Sequence, residues 1–215
     1  MKTITLTTCF LLTLAVSASA ISLEKRHQLG LRLGMWNQTT DVRTETGIGG
    51  VETSVKSDGF VGGIQYGHWL RENLALTFGI SGMAIDISTN TGIMGVTEKT
   101  SSVASMLMGL KFYFPSSTLE GAARPYVSAA AGPFIGSQSS NTVGLTVVQE
   151  ERTETAIGGQ LGAGVDFVTG RHFMMGAAFA YNLMSDFSDP VGGSKNYSGP
   201  EFSFSFNWLF GRGVQ

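Results

Sequence analysis

From Pro200 to Phe210 the chain alternates without a break: Phe202, Phe204, Phe206, Trp208 and Phe210 share one parity, and Glu201, Ser203, Ser205 and Asn207 share the other. A period of two belongs to a β-strand with one face in an apolar medium, whereas a helix would scatter those rings around its circumference. The arrangement recurs upstream. Gln28 to Asn37 sets Leu29, Leu31, Leu33 and Met35 against Gln28, Gly30, Arg32 and Gly34, and Gly59 to Trp69 sets Phe60, Ile64 and Tyr66 against Gly63, Gln65 and Gly67. Leu74 to about Ile85, Ser102 to Phe114, Arg124 to Gly136, Thr155 to Val168 and Phe173 to Leu183 repeat it, Arg124 to Gly136 at low contrast because alanine fills both faces. Since every segment presents the same kind of face, none supplies the partner layer of a soluble sheet, and lipid is the simplest solvent for so many outward faces. Strands in lipid must bond every backbone group among themselves, so the pattern predicts an all-β fold, a transmembrane up-and-down antiparallel β-barrel of about eight strands whose last strand zips onto the first.

The connections alternate in length. Gln38 to Asp58, Ile87 to Ser101, Ser137 to Thr153 and Ser185 to Ser198 read as long polar loops, while Leu70 to Asn73, Pro115 to Ala123 and Thr169 to His172 read as turns. Transmembrane barrels carry long loops outside and short turns in the periplasm, which places both termini in the periplasm. Aromatic residues near the strand ends suggest two girdles at headgroup level, one of Tyr66, Trp69, Phe112, Tyr113, Phe114, Tyr126, Phe167, Phe173, Trp208 and Phe210, and a sparser external one of Trp36, Phe60, Phe134 and Tyr181. The inward parity carries a polar set, Arg32, Gln65, Lys111, Gln160, Asp166, Asn182, Glu201 and Asn207. Unpaired charges there would be costly, so Arg32 is expected to meet Glu201 and Lys111 to meet Asp166.

The start of the chain changes the picture. Lys2, the apolar run from Phe10 to Val16 and Ala18-Ser19-Ala20 have the layout of a secretory signal peptide over residues 1–20, leaving 21–215 as the barrel domain and Glu24 to His27 as a short polar leader. Cys9, the single cysteine, falls inside that peptide without the small-residue context of a lipoprotein box, so the exported chain is expected to have no thiol, disulfide or lipid anchor. Hydrophobic residues make up 42%, charged residues only 14%, and 29 of 215 residues are glycine, too apolar for disorder and too glycine-rich for a helical core. After residue 20 no run approaches the roughly 18 apolar residues of a transmembrane helix. A net charge of -2 and the lack of a basic patch with interleaved aromatics argue against nucleic acid.

Trp69-Leu70-Arg71-Glu72-Asn73-Leu74-Ala75-Leu76 across the first turn, and Arg124-Pro125-Tyr126-Val127 running into Ala129-Ala130-Ala131-Gly132, resemble the small outer-membrane β-barrel domain family, the group around OmpX, the membrane half of OmpA and OmpW-like relatives. The resemblance spans the exported chain. It implies the bacterial outer membrane, contact with outer-membrane lipid and lipopolysaccharide, and delivery by periplasmic chaperones to the barrel assembly machinery. It also implies a structural or surface-interaction role through the external loops toward an unidentified extracellular partner, with an OmpW-like narrow passage for small apolar solutes as the alternative. Family members commonly end on an aromatic, whereas here Gly211 to Gln215 follow Phe210.

Other chemistry reads weakly. Gly158-Gly159-Gln160-Leu161-Gly162-Ala163-Gly164 precedes no helical pattern and suits lumen packing better than phosphate binding. His27, His68 and His172 lie on different strands without ligand spacing, so neither a metal nor any other cofactor is expected. Barrels that act on lipid A or phospholipid use a Ser/His pair with a carboxylate or amide, and substrate in the outer leaflet lies near the external rim; all three histidines map to the opposite end, and the chain is not expected to be an enzyme. Asn37-Gln38-Thr39 and Asn196-Tyr197-Ser198 are sequons only in a eukaryotic secretory route. A soluble lipocalin-type barrel would turn the glycine and alanine parity to water, leaving a surface poor in charge.

Overall fold

The computed structural model describes residues 22–38, 58–92, 95–114, 123–143 and 147–212. The expected signal peptide, nearly all of the Gln38 to Asp58 loop, most of the Pro115 to Ala123 turn and residues 213–215 lie outside the described residues.

Eight antiparallel strands run β1 (His27–Asn37), β2 (Asp58–Arg71), β3 (Leu74–Gly92), β4 (Gly95–Tyr113), β5 (Ala123–Val143), β6 (Val147–Val168), β7 (Phe173–Met184) and β8 (Gly199–Phe210). Each pairs with its neighbour in sequence, and β8 pairs with β1 over Leu31↔Phe206 and Arg32↔Ser205 to close the barrel. The outward parity is the one the alternation predicts. Ile64, Phe179, Phe204 and Trp208 remain exposed on the barrel wall, Phe204 at 51% and Trp208 at 59%, because lipid rather than protein is their solvent.

Two segments expected to be loops are strand. Ile87 to Ser101 lies within the β3–β4 hairpin, paired from Ile87↔Thr100 to Gly92↔Gly95. Ser137 to Thr153 lies within β5 and β6, paired from Ser137↔Thr153 to Val143↔Val147. Neither segment carries the apolar–polar alternation that marks a half-buried strand, while its threonine and valine residues still favour the extended backbone. β4 and β5 also pair with each other out to Val96↔Val143, so β3 to β6 continue as one four-stranded sheet.

Five aromatics assigned to the girdles point inward instead. Trp36, Phe134, Trp69, Tyr113 and Tyr126 are each at most 4% exposed. Each shares the inward parity, as Trp36 does with Arg32 and Tyr113 with Lys111; position near a strand end had suggested the membrane interface, but parity decides the side. The outward girdle members, among them Tyr66, Phe173, Trp208 and Phe210, do sit on the lipid face.

The interior is therefore layered. At the end bearing the long strands, Trp36, Val61, Met83, Val103, Leu107 and Phe134 form an apolar cluster completed by Phe187, Val191 and Tyr197 from the β7–β8 connection, which folds into the mouth. At the other end Trp69, Tyr113, Tyr126, Met174 and Leu209 form a second cluster around Leu23, which is wholly buried. The segment expected to be a short polar leader is tied to the barrel as a strap: Lys25 adopts a left-handed backbone (φ 62), Lys25 N donates to Trp69 O, and Trp69 N donates to Arg26 O.

Candidate functional site

Between the two apolar plugs the eight inward polar residues fall into three groups. In the first, Glu201 on β8 lies 2.6 Å from the Arg32 guanidinium on β1 and accepts from Gln160 Nε2 and Asn182 Nδ2, both at 3.0 Å. Arg32 also donates to Gln160 Oε1 and Ser203 Oγ, and Gln160 to Asn182 Oδ1. In the second, Lys111 Nζ approaches Asp166 Oδ2 at 3.4 Å, the Tyr113 hydroxyl donates to the same oxygen at 2.7 Å, and the ammonium lies 4.1 Å from the Tyr126 ring centroid. In the third, Gln65 donates to Asn207 Oδ1 at 2.6 Å and Asn207 to Ser205 Oγ at 3.1 Å. Ser203, Ser205, Tyr113 and Tyr126 also belong to this lumen network, and each shares the inward parity of its strand.

Glycine makes the network possible where side chains crowd. A Cβ at Gly176 would fall 2.1 Å from Asp166 Oδ1, and one at Gly164 would fall 2.7 Å from the Tyr126 ring. The chamber that remains, bordered by Arg32, Gln65, Lys111, Gln160 and Ser128, has about 70 Å³, room for a few water molecules.

The ends of the barrel differ. Among the described residues β3 beyond Met83 pairs with β4 alone and β6 before Gly158 pairs with β5 alone, with Ile157 also bonded to Ser185 of the β7–β8 connection. The β7–β8 connection is tied to this sheet by an ion pair between Arg152 and Asp189 and by Gly192 N donating to Gln138 Oε1. At the short-turn end Lys25, Arg26, Arg71, Arg124, Arg171 and Arg212 outnumber Glu24 and Glu72. Arg26 is 5% exposed, its Nη2 donates to Arg171 O at 2.5 Å, and its pKa is lowered, chiefly by burial and then by the Arg171 charge.

The histidines gather at this end as expected, and two of them meet. His27 and His68 are register partners whose rings stack 4.5 Å apart, with Phe210 on the other side of His27 and the Tyr66 hydroxyl 2.7 Å from His27 Nδ1. His172 stands apart, near Leu209 O. Among the described residues no three metal-ligating side chains converge.

A family model described as the outer membrane protein beta-barrel domain matches residues 8–210. Among curated proteins nothing matches the chain. Among solved structures, the fold is similar to that of Ail, the attachment invasion locus protein of Yersinia pestis, at 14% identity and a TM-score of 0.51 over 87% of this chain and 99% of that one. It is likewise similar to Neisserial surface protein A, at 13% identity and a TM-score of 0.52 over 87% of this chain and 98% of that one.

Proposed function

Because the chain belongs to the outer membrane protein beta-barrel domain family, and so to the bacterial outer membrane, we propose that it acts as a surface-recognition barrel whose working part is the projecting β3–β6 sheet. The observation that carries this reading is that, among the described residues, the outer parts of β3 and β6 have a strand on one side only, at one end of a closed, plugged barrel. An unpaired edge offers a row of backbone donors and acceptors, and an extended partner segment adds to it by main-chain hydrogen bonding. The barrel fixes the sheet in the membrane, as a rigid scaffold carries a recognition surface. The partner is an extracellular polypeptide with an extended, accessible strand. The name of the similar Yersinia protein, an attachment invasion locus protein, fits such a role.

The alternative, a narrow passage for small apolar solutes, has one observation in its favour: the external half of the lumen is lined by apolar side chains. That space is filled by the chain's own Phe187, Val191 and Tyr197, so transport would require the β7–β8 connection to leave. Catalysis is no part of the proposal, since the histidines lie at the opposite end from the outer leaflet. The test is a pull-down on intact cells. Residues 88–99 and residues 139–151 would each be replaced by an Asn-Gly turn, which suits the flanking register pairs Ile87↔Thr100 and Gln138↔Arg152. Loss of the captured partner, with the truncated barrels still folded and heat-modifiable, supports the reading. Undiminished capture by both variants refutes it.

A further inference from the structure

We propose that the polar chamber between the two apolar plugs binds one small monovalent anion, of the size of chloride, and that Arg32 and Lys111 hold it. Both charged side chains that border the chamber are cations. Their carboxylate partners stand behind them: Glu201 and Asp166 are 2% and 0% exposed, and among the described residues no carboxylate borders the space. Each ion pair is neutral as a whole, with Arg32 2.6 Å from Glu201 and Lys111 3.4 Å from Asp166, but each turns its positive end to the cavity. Coulomb energy falls with distance, so at the chamber the nearer cations outweigh the farther carboxylates, the more so in an interior of low dielectric.

The hydrogen-bonding groups around the space are unbalanced in the same direction. Among the described residues Arg32 commits Nε to Ser203 Oγ, one N–H of Nη1 to Gln160 Oε1 and one N–H of Nη2 to Glu201 Oε1, which leaves one N–H on each terminal nitrogen. The Lys111 ammonium directs one N–H at Asp166 Oδ2 and at most one more at Tyr126, so at least one remains. Ser81 and Ser105 share a single hydrogen bond at 2.8 Å, and one of their two hydroxyl protons is left for another acceptor. On the acceptor side Gln160 Oε1 is already taken by Arg32, and the strand carbonyls are engaged in the barrel ladders, which leaves the Gln65 carbonyl and hydroxyl lone pairs. Water brings donors as well as acceptors and carries no charge. A halide accepts from several donors at once and matches both the unused N–H groups and the positive potential.

The size agrees. The chamber has about 70 Å³, against roughly 10–15 Å³ of such space for one water molecule, and a chloride ion is only slightly larger than water. One ion therefore fits, with a few waters completing its shell. Apolar clusters lie above and below the chamber, so the ion enters as the barrel closes during folding and exchanges only when a plug opens.

The test refolds the full exported chain in bromide, which replaces chloride and scatters anomalously, and crystallises it from the same salt. One anomalous peak is expected in the chamber beside Arg32 and Lys111. The comparison is Lys111→Met combined with Asp166→Asn, which removes both members of one ion pair so that no buried charge is left alone; its chamber should lose the peak. In solution the urea midpoint of the wild type should be higher in chloride or bromide than in gluconate, an anion too large for the chamber, at the same ionic strength, because an ion that binds only the folded barrel stabilises it. The double variant should show no such difference. A chamber filled by water alone, without anomalous signal, overturns the proposal. So does a peak or a midpoint difference that the double variant keeps, which places the effect elsewhere. A bromide peak without any midpoint difference makes it an adventitious ion only and overturns the proposal as well.

Discussion

Glu201→Gln should destabilise the barrel by about 3 kcal/mol. Glu201 is 2% exposed and its two oxygens are committed in opposite directions, Oε1 to the Arg32 guanidinium and Oε2 to the amides of Gln160 and Asn182. A glutamine there must turn its NH₂ toward one of these donors, so the substitution removes a charge and also sets donor against donor. Removing one partner of a buried ion pair costs roughly 3–5 kcal/mol. The lower end applies because the Arg32 side chain is 20% accessible and borders the small polar chamber, where it regains some hydration. Arg32→Met leaves Glu201, the less accessible partner, as a buried carboxylate with two amide donors and no cation, and should cost more, about 4 kcal/mol. The double variant should cost less than the two singles together by about 2 kcal/mol, since contacting charged groups couple on that scale. Urea titration of refolded protein in lipid vesicles, followed by tryptophan fluorescence, measures all four corners of the cycle. The three tryptophans suit the purpose, Trp36 and Trp69 being buried in the two plugs and Trp208 facing lipid. Additivity within about 0.5 kcal/mol would show that the pair does not hold β1 to β8, and the reasoning would fail.

The fold was readable because a bilayer imposes one rule on every strand. The parity of Phe202 to Phe210 and of Leu29 to Met35 requires an apolar exterior, and all eight inward polar residues were visible as the opposite parity of the same strands. The diagonal from Arg32 to Glu201 could be anticipated once β8 was taken to close on β1. What sequence hid was whatever escapes period two. Ile87 to Ser101 and Ser137 to Thr153, in the outer parts of β3 to β6, carry no apolar–polar alternation and so read as loops. Trp36, Phe134, Trp69, Tyr113 and Tyr126 were misplaced because a ring near a strand end suits both a girdle and a plug; only parity separates the two. Leu23, Phe187, Val191 and Tyr197 lie outside the strands altogether, and no local pattern says that a connection will fold back into a barrel's mouth. The same holds for Arg26 beside Arg171, a contact between positions 145 apart in sequence.

Four further outcomes follow from the same structure. Phe204→Arg, on the lipid face of β8, should cost about 2–4 kcal/mol near the midplane, while the inward neighbour Ser205→Ala stays within about 1 kcal/mol; equal tolerance in a refolding titration would remove the facing assignment. Gly164→Val should cost about 1–3 kcal/mol in the same assay, because a Cβ would fall 2.5 Å from Ala177 O and 2.7 Å from the Tyr126 ring, and an unchanged midpoint would mean that both give way freely. Trypsin on whole cells should cut at Arg43 or Lys56, which lie outside the described residues in a loop that the sequence places outside the cell, spare Arg71 and Arg171 in the turns expected in the periplasm, and act slowly at Arg152, which sits in a paired strand with Glu154 and Asp189 as partners; cleavage at Arg71 before the cell is opened would reverse the orientation. Finally, purified protein in a planar bilayer should show no steady conductance, because an eight-stranded barrel is filled by its own side chains and this one is stoppered by Leu23 below and by Phe187, Val191 and Tyr197 above. Leu23→Ser alone should leave it silent, since the upper plug persists, and so should Phe187→Ser alone. Joining Leu23→Ser to deletion of residues 187–197 should give brief, small openings limited by the Arg32 and Lys111 layer, and porin-sized current through the wild type would refute the closed lumen.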